Sequence, residues 1–131
     1  MKANELMIGD WLFLGGDVVV QVTAISADGD DTILVKYQEQ GKFGKYGEIV
    51  GNNDVKPIPI TSEILEKNGF RQNWWWKLYN EEFYLSGGGE CGYRAYTNGD
   101  CNKRENFCWL KYVHELQHAL RLCAIDKEIE L

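Results

Sequence analysis

Toward its C-terminal end the chain carries His114-Glu115-Leu116-Gln117-His118, which reads His-Glu-x-x-His. On a helix, two histidines four residues apart present both imidazoles on one face, where they can share a zinc ion. A glutamate beside them can polarise a metal-bound water, the step that a zinc hydrolase needs. The set is incomplete. A catalytic zinc takes a third protein ligand, and only thirteen residues follow His118. The extended motif fails, because Arg121 stands where Gly belongs and Ala124 where the third His belongs. Glu128 and Glu130 lie just beyond the helix, closer than the distant helix that usually supplies a glutamate ligand. Asp100 or a cysteine would have to be brought in by the fold. His114 and His118 are therefore the only metal candidates, and neither a metal site nor a cofactor is predicted.

The helix that must position them runs from Leu110 to Cys123. At about 100° per residue, Trp109, Tyr112, Val113, Leu116, Ala119, Leu120 and Cys123 form one apolar stripe. His114 and His118 fall roughly opposite its centre, beside Lys111 and Arg121. The expectation is an amphipathic helix with both histidines on its solvated face. A metalloprotease would need more protein over that face than the chain has left to supply.

A second candidate is a hairpin over residues 74–86 with Asn80-Glu81 as its turn. Leu78 then faces Phe83 and Trp76 faces Leu85, so Trp74, Trp76, Leu78, Phe83 and Leu85 share an apolar face. The opposite face carries Trp75, Lys77, Tyr79, Glu82 and Tyr84. Trp75 and Tyr84 are diagonal neighbours with Tyr79 nearby, a layout suited to stacking a base, a sugar ring or a partner's side chain. The favoured expectation is that the barrel described below or an edge loop buries these rings as a second core, because exposed apolar patches are rare on monomers.

Other chemistry finds little support. No motif places a Ser or Cys nucleophile, and Gly87-Gly-Gly89 precedes a strand, so it reads as a flexible connection and not as a phosphate cradle. Glu81 and Glu82 are adjacent at a turn, whereas a catalytic carboxylate pair needs opposed positions in a cleft. No residue is assigned a catalytic role. The binding candidates are Trp75, Tyr79, Tyr84 and His114.

The 131 residues are 44% hydrophobic and 26% charged, a globular composition, and aromatics reach 13%. The net charge is −6, with 5 Lys against 9 acidic residues in 1–60 and 9 basic against 11 acidic in 61–131. That balance disfavours a nucleic-acid partner, whose affinity comes chiefly from Lys and Arg on phosphates. No export signal or membrane-length apolar run is present, so a cytoplasmic protein is expected, with no membrane partner. There Cys91, Cys101, Cys108 and Cys123 should be thiols, and no Cys-x-x-Cys pair supports structural zinc.

The first sixty residues read as β. Trp11–Leu14 and Asp17–Ile25 flank Gly15-Gly16 as a two-residue hairpin, which sets Trp11 opposite Val20 and Phe13 opposite Val18. Thr32–Tyr37, Glu48–Val50 and Val55–Ile60 follow as short strands. Pro57 and Pro59 belong on an edge or at a bulge. Five short strands with tight turns predict a small SH3-like barrel. A helix follows over Thr61–Asn68, capped by Thr61, with Glu63 at its positive end and Gly69 as its left-handed stop. Tyr93–Thr97 and Phe107–Leu110 complete an antiparallel sheet of about four strands.

Three stretches carry a resemblance: Lys2-Ala-Asn-Glu-Leu-x-Ile-Gly-Asp-Trp11; Pro57-Ile-Pro-Ile-Thr61 with Glu63-Ile-Leu65 and Asn68-Gly-Phe70; and Tyr112-Val-His-x-Leu-Gln117. Together they span nearly the full length, apart from the middle loops. On them the chain resembles a group of uncharacterised small proteins of gut anaerobic bacteria, their phages and mobile elements. The resemblance implies no activity. Its last motif includes His114 but neither Glu115 nor His118, which singles out His114 and suits a helix whose His114 meets the barrel and not water.

The expected architecture is thus α+β: an N-terminal SH3-like β-barrel over 1–60, then a helix–antiparallel sheet–helix subdomain over 61–131, packed as one compact unit. The expected function is a non-enzymatic interaction or accessory module with a protein partner, associated with a phage or mobile element. A zinc-dependent hydrolase on His114, Glu115 and His118 is the first alternative. Single-strand nucleic-acid or small-ligand binding through exposed aromatics is the second.

Overall fold

The computed structural model describes residues 6–15, 18–25, 32–37, 48–51, 54–73, 75–78, 81, 83–89, 92–96 and 106–131, with backbone alone at 32, 34, 36–37, 48–50 and 106–108. The chain divides into two compact units, Met1–Ile58 and Pro59–Leu131. The fold is α+β, with two antiparallel five-stranded sheets and two helices among the described residues.

The first unit holds β1 (Trp11–Leu14), β2 (Val18–Ile25), β3 (Thr32–Tyr37), β4 (Glu48–Gly51) and β5 (Val55–Pro57), in the order β4-β3-β2-β1-β5. Among the described residues no ladder joins β4 to β5, so the sheet has two edges. Pro57 ends the edge strand β5, where its missing N–H breaks no ladder. Leu6, Leu12, Val20, Val22, Ile33, Val35 and Val55 form the core, with Leu14 and Ile25 packed against it.

The β1–β2 register differs from the expected one. Leu12 pairs with Val20, Phe13 with Val19 and Leu14 with Val18, while Trp11 meets Gln21. The connection therefore spans three residues, 15–17, instead of two, with Gly15 at φ 65°. A one-residue slip turns every side chain to the other face. It brings Leu12, Val20 and Val22 into the core and leaves Trp11 and Phe13 half-buried.

Ahead of β1, the Asp10 carboxylate is fully buried and accepts from Met7 N–H at 2.8 Å, while Asp10 N–H donates to the Met7 carbonyl. The resulting turn docks on β2 through Gly9 N–H to Val22 O and Val22 N–H to Asp10 O. Each polar group buried here thus has a partner, as burial requires.

In the second unit, Pro59 bridges to Tyr112 and Ile60 N–H donates to Lys111 O. The strand expected over 55–60 therefore contributes only 55–57 to the first sheet. Helix α1 spans Ser62–Lys67, capped by Thr61 Oγ1 accepting from Ile64 N–H, and stops at Gly69 with φ 87°. The sheet comprises β6 (Phe70–Gln72), β7 (Trp76–Leu78), β8 (Tyr84–Gly89), β9 (Gly92–Tyr96) and β10 (Asn106–Leu110), in the order β10-β9-β8-β7-β6. It has five strands and not four, because Phe70–Gln72 pairs with β7. Three residues are too few for alternation to announce a strand.

The glycine run is also not the connection expected. Gly87, Gly88 and Gly89 close strand β8, with a bulge between Gly87 and Gly89. A Cβ at Gly88 would stand 3.3 Å from the Tyr93 ring, so the missing side chain makes room for a buried tyrosine.

Helix α2 spans Val113–Leu122 and ends in a Schellman motif, with Ala124 N–H on Arg121 O and Ile125 N–H on Leu120 O. Ala124 takes the left-handed conformation at φ 57°. The tail beyond it buries Ile129, and Asn68 clasps it by the backbone of Glu130. Among the described residues, no helix is long and apolar enough to cross a membrane.

Candidate functional site

Helix α2 delivers its histidines to surroundings other than those expected. Val113, Leu116, Ala119 and Leu120 are buried as the apolar stripe requires, but so are His114 and Gln117, each only 7% exposed. The helix has a second buried side, and His118 is half-buried. The His114 ring stacks on Tyr112 at 6.0 Å and 10°, and meets His118 edge-on at 5.6 Å and 77°. Tyr112, His114 and His118 form one ring ladder along the helix, with Lys111 Nζ 5.8 Å from the Tyr112 ring centre.

Glu115, the third member of the zinc pattern, has a structural task. Its Oε1 accepts from Lys111 N–H and from Tyr112 N–H, both at 3.0 Å. That is the glutamate half of a capping box, satisfying amides ahead of the first turn and placing negative charge at the positive helix end. Among the described residues no group of three His, Cys, Asp or Glu side chains could hold a metal ion. Cys123 is a half-buried free thiol whose ionisation burial pushes upward, while Cys91 and Cys101 lie outside the described residues.

The second sheet presents a more complete arrangement. Strand alternation and the pairings Phe70 with Leu78, Trp76 with Leu85 and Leu85 with Ala95 put these apolar residues on one buried face. The other buried residues of this unit include Leu65 of α1 and the apolar stripe of α2. On the outer face, Arg71 pairs with Lys77, Lys77 with Tyr84 and Tyr84 with Tyr96, a row across four strands. A second row joins Ser86, Arg94 and Trp109.

These side chains interlock as cations and rings. Lys77 Nζ lies 5.7 Å from the Tyr84 ring centre, and the Arg94 guanidinium lies 4.8 Å from that of Trp109. Both fall within cation–π range. Trp75 meets Tyr96 edge-on at 5.3 Å and 88°. Trp109 is 49% exposed, Arg71 and Lys77 are exposed, and Trp75, Tyr84, Arg94 and Tyr96 are half-buried. Trp75 and Tyr84 are thus partly covered and not fully buried. No described carboxylate belongs to either row.

Of the expected binding residues, Trp75 and Tyr84 belong to this face, where Tyr96 meets the Trp75 ring and pairs with Tyr84 across the strands. Tyr79 lies outside the described residues, as do Trp74 and Glu82. His114 belongs to the α2 ladder. Arg94, Tyr96 and Trp109 were not among the expected residues. The signal for them was the alternation Tyr93-Arg94-Ala95-Tyr96, which sets Arg94 and Tyr96 opposite the core-facing residues once β9 is paired with β8.

Inside the unit, Tyr93 faces the core, and its phenol is held protonated beyond the usual tyrosine range, first by burial and then by the Glu63 carboxylate. Comparison with protein-family models, curated proteins and solved structures finds no match to this chain.

Proposed function

We propose that this protein is a non-enzymatic interaction module that takes its partner on the outer face of the second sheet. The observation that carries this reading is the pair of rows Arg71–Lys77–Tyr84–Tyr96 and Ser86–Arg94–Trp109, cationic and aromatic together, with no described carboxylate among them. Half-buried rings on a strand-built face form a platform with little side-chain entropy left to lose on binding. The first unit reads as an SH3-like barrel in this proposal. Support comes from its order, a four-strand meander with β5 returning to β1. The resemblance at 2–11, 57–70 and 112–117 favours an accessory role in a phage or mobile element, acting in the cytoplasm. The zinc hydrolase has less support, because the Glu115 carboxylate is held against two backbone amides.

The test is a panel of anionic ligands titrated against tryptophan fluorescence at low salt: oligothymidine, oligouridine, polyglutamate and heparin. At least one class is expected to bind, and the double charge reversal K77E/R94E to abolish that binding. No binding by any class, or binding indifferent to the charge reversal, overturns the proposal.

A further inference from the structure

We infer that the partner of this face is a single-stranded nucleic acid, an inference that rests on reading the face as a docking surface. Two kinds of group have to be matched there. The cations Arg71, Lys77 and Arg94 call for an anion, and among the described residues none forms an ion pair with them. The Trp109 ring, half open to water, calls for flat apolar surface. An acidic peptide would answer the cations and leave the Trp109 ring uncovered. An apolar peptide would cover the rings and bury the cations without partners, at a high desolvation cost. A polynucleotide strand brings both groups in alternation, with phosphates for the cations and bases for the rings.

The geometry selects the unpaired form. Bases in a duplex are stacked on one another, and only splayed bases can lie on rings that stand up from a sheet. Tyr84 and Tyr96 are direct cross-strand neighbours, so their Cβ atoms stand about 5 Å apart on adjoining strands. Trp109 sits one row further along, beside Arg94. The Arg94 guanidinium lies over one face of the Trp109 ring, so a base would stack on the other face, with the cation held across the ring from it.

The overall charge of −6 limits the strength of this binding without removing it. At physiological salt the screening length is about 8 Å, so a strand lying on the face responds mainly to the three cations there. With three phosphates neutralised, the logarithm of the binding constant should fall against the logarithm of salt with a slope of about −2.

The experiment measures binding of a thymidine dodecamer to the full chain by quenching of tryptophan fluorescence, across a salt series. Saturable quenching with that slope is expected. Trp109→Ala should weaken binding about tenfold, since one stacked base contributes roughly 5- to 150-fold. Trp109→Phe should restore most of it, and Arg94→Gln should weaken binding and flatten the salt slope. Circular dichroism of each variant confirms folding. A base-free polyanion that binds as tightly overturns the nucleic-acid inference and leaves an acidic protein as the partner of the same face. Oligonucleotide binding that survives both Trp109→Ala and Arg94→Gln overturns it as well, as does no quenching at low salt. In that last case, binding of polyglutamate that K77E/R94E abolishes would leave the docking face standing with a different occupant.

Discussion

The side-chain amide of Asn68 pairs with the backbone of Glu130 in both directions, donating to its carbonyl at 2.7 Å and accepting from its N–H at 2.6 Å. The same amide nitrogen donates to Ile64 O at 2.8 Å, and Lys67 Nζ reaches Leu131 O at 2.5 Å. A buried Asn at the end of α1 thus acts as one rung of a strand for the C-terminal tail, which seats Ile129 in the core. Asn68→Ala should lower stability by about 2–3 kcal/mol, from three lost hydrogen bonds worth about 1 kcal/mol each. Urea unfolding reads this as a lower midpoint at unchanged slope. Removing 129–131 from that variant should cost less than removing it from the parent chain, because the two changes break one contact. Full additivity would mean that the tail is held by something else.

The register of the first hairpin makes adjacent residues unequal. Leu12 is fully buried, so Leu12→Ala should cost about 2–5 kcal/mol. Phe13 is only half-buried, and Phe13→Ala should cost less than about 2 kcal/mol despite the larger side chain. The reverse ranking in chemical denaturation would restore the two-residue turn and the register that it sets.

Glu115 should behave as a cap. Glu115→Ala is expected to cost about 1 kcal/mol, whereas Glu115→Gln keeps an acceptor oxygen and should cost much less. Dialysis against a chelator should leave the thermal midpoint where it was. A falling midpoint, with stoichiometric zinc in the untreated protein that is lost in His118→Ala, would revive the hydrolase.

Stability should fall at alkaline pH through Tyr93. Burial and the Glu63 carboxylate raise its pKa in the folded chain above the ordinary 10.0. The unfolded chain releases its proton first, so the contribution is complete below pH 10.0 and is lost as pH rises from there through the folded value. Cys123, raised above its ordinary 9.0, acts with the same sign from a lower starting point. Thermal midpoints recorded from about pH 9 to about 12 should fall less steeply in Tyr93→Phe. Glu63→Gln should remove part of the slope. Equal slopes in the parent and Tyr93→Phe would place the alkaline loss elsewhere.

Local signals made some of this protein readable. The Thr61 cap and Gly69 stop of α1, the facing of Trp76 with Leu85, and the apolar stripe of α2 each follow from neighbours a few residues apart. The α+β class follows from them too. The site was less legible. Trp75 and Tyr84 could be placed on one face from their own hairpin, but Tyr96 and the Arg94–Trp109 pair join them only across β9 and β10, through pairings that no local pattern specifies.

His114 and Leu12 mark where the sequence stopped. By itself it determined most of the segments that become strands and helices, though not β6 or the glycine end of β8, because periodicity and capping act within a turn or two of chain. Tertiary structure alone decided which side of β1 is core, that α2 is buried around His114 and Gln117 as well as along its stripe, and that Glu115 caps a helix where a zinc site would need it free. Those outcomes depend on strand register and on which groups meet across long sequence separations. There a one-residue slip reverses a face, and a five-residue motif has no influence.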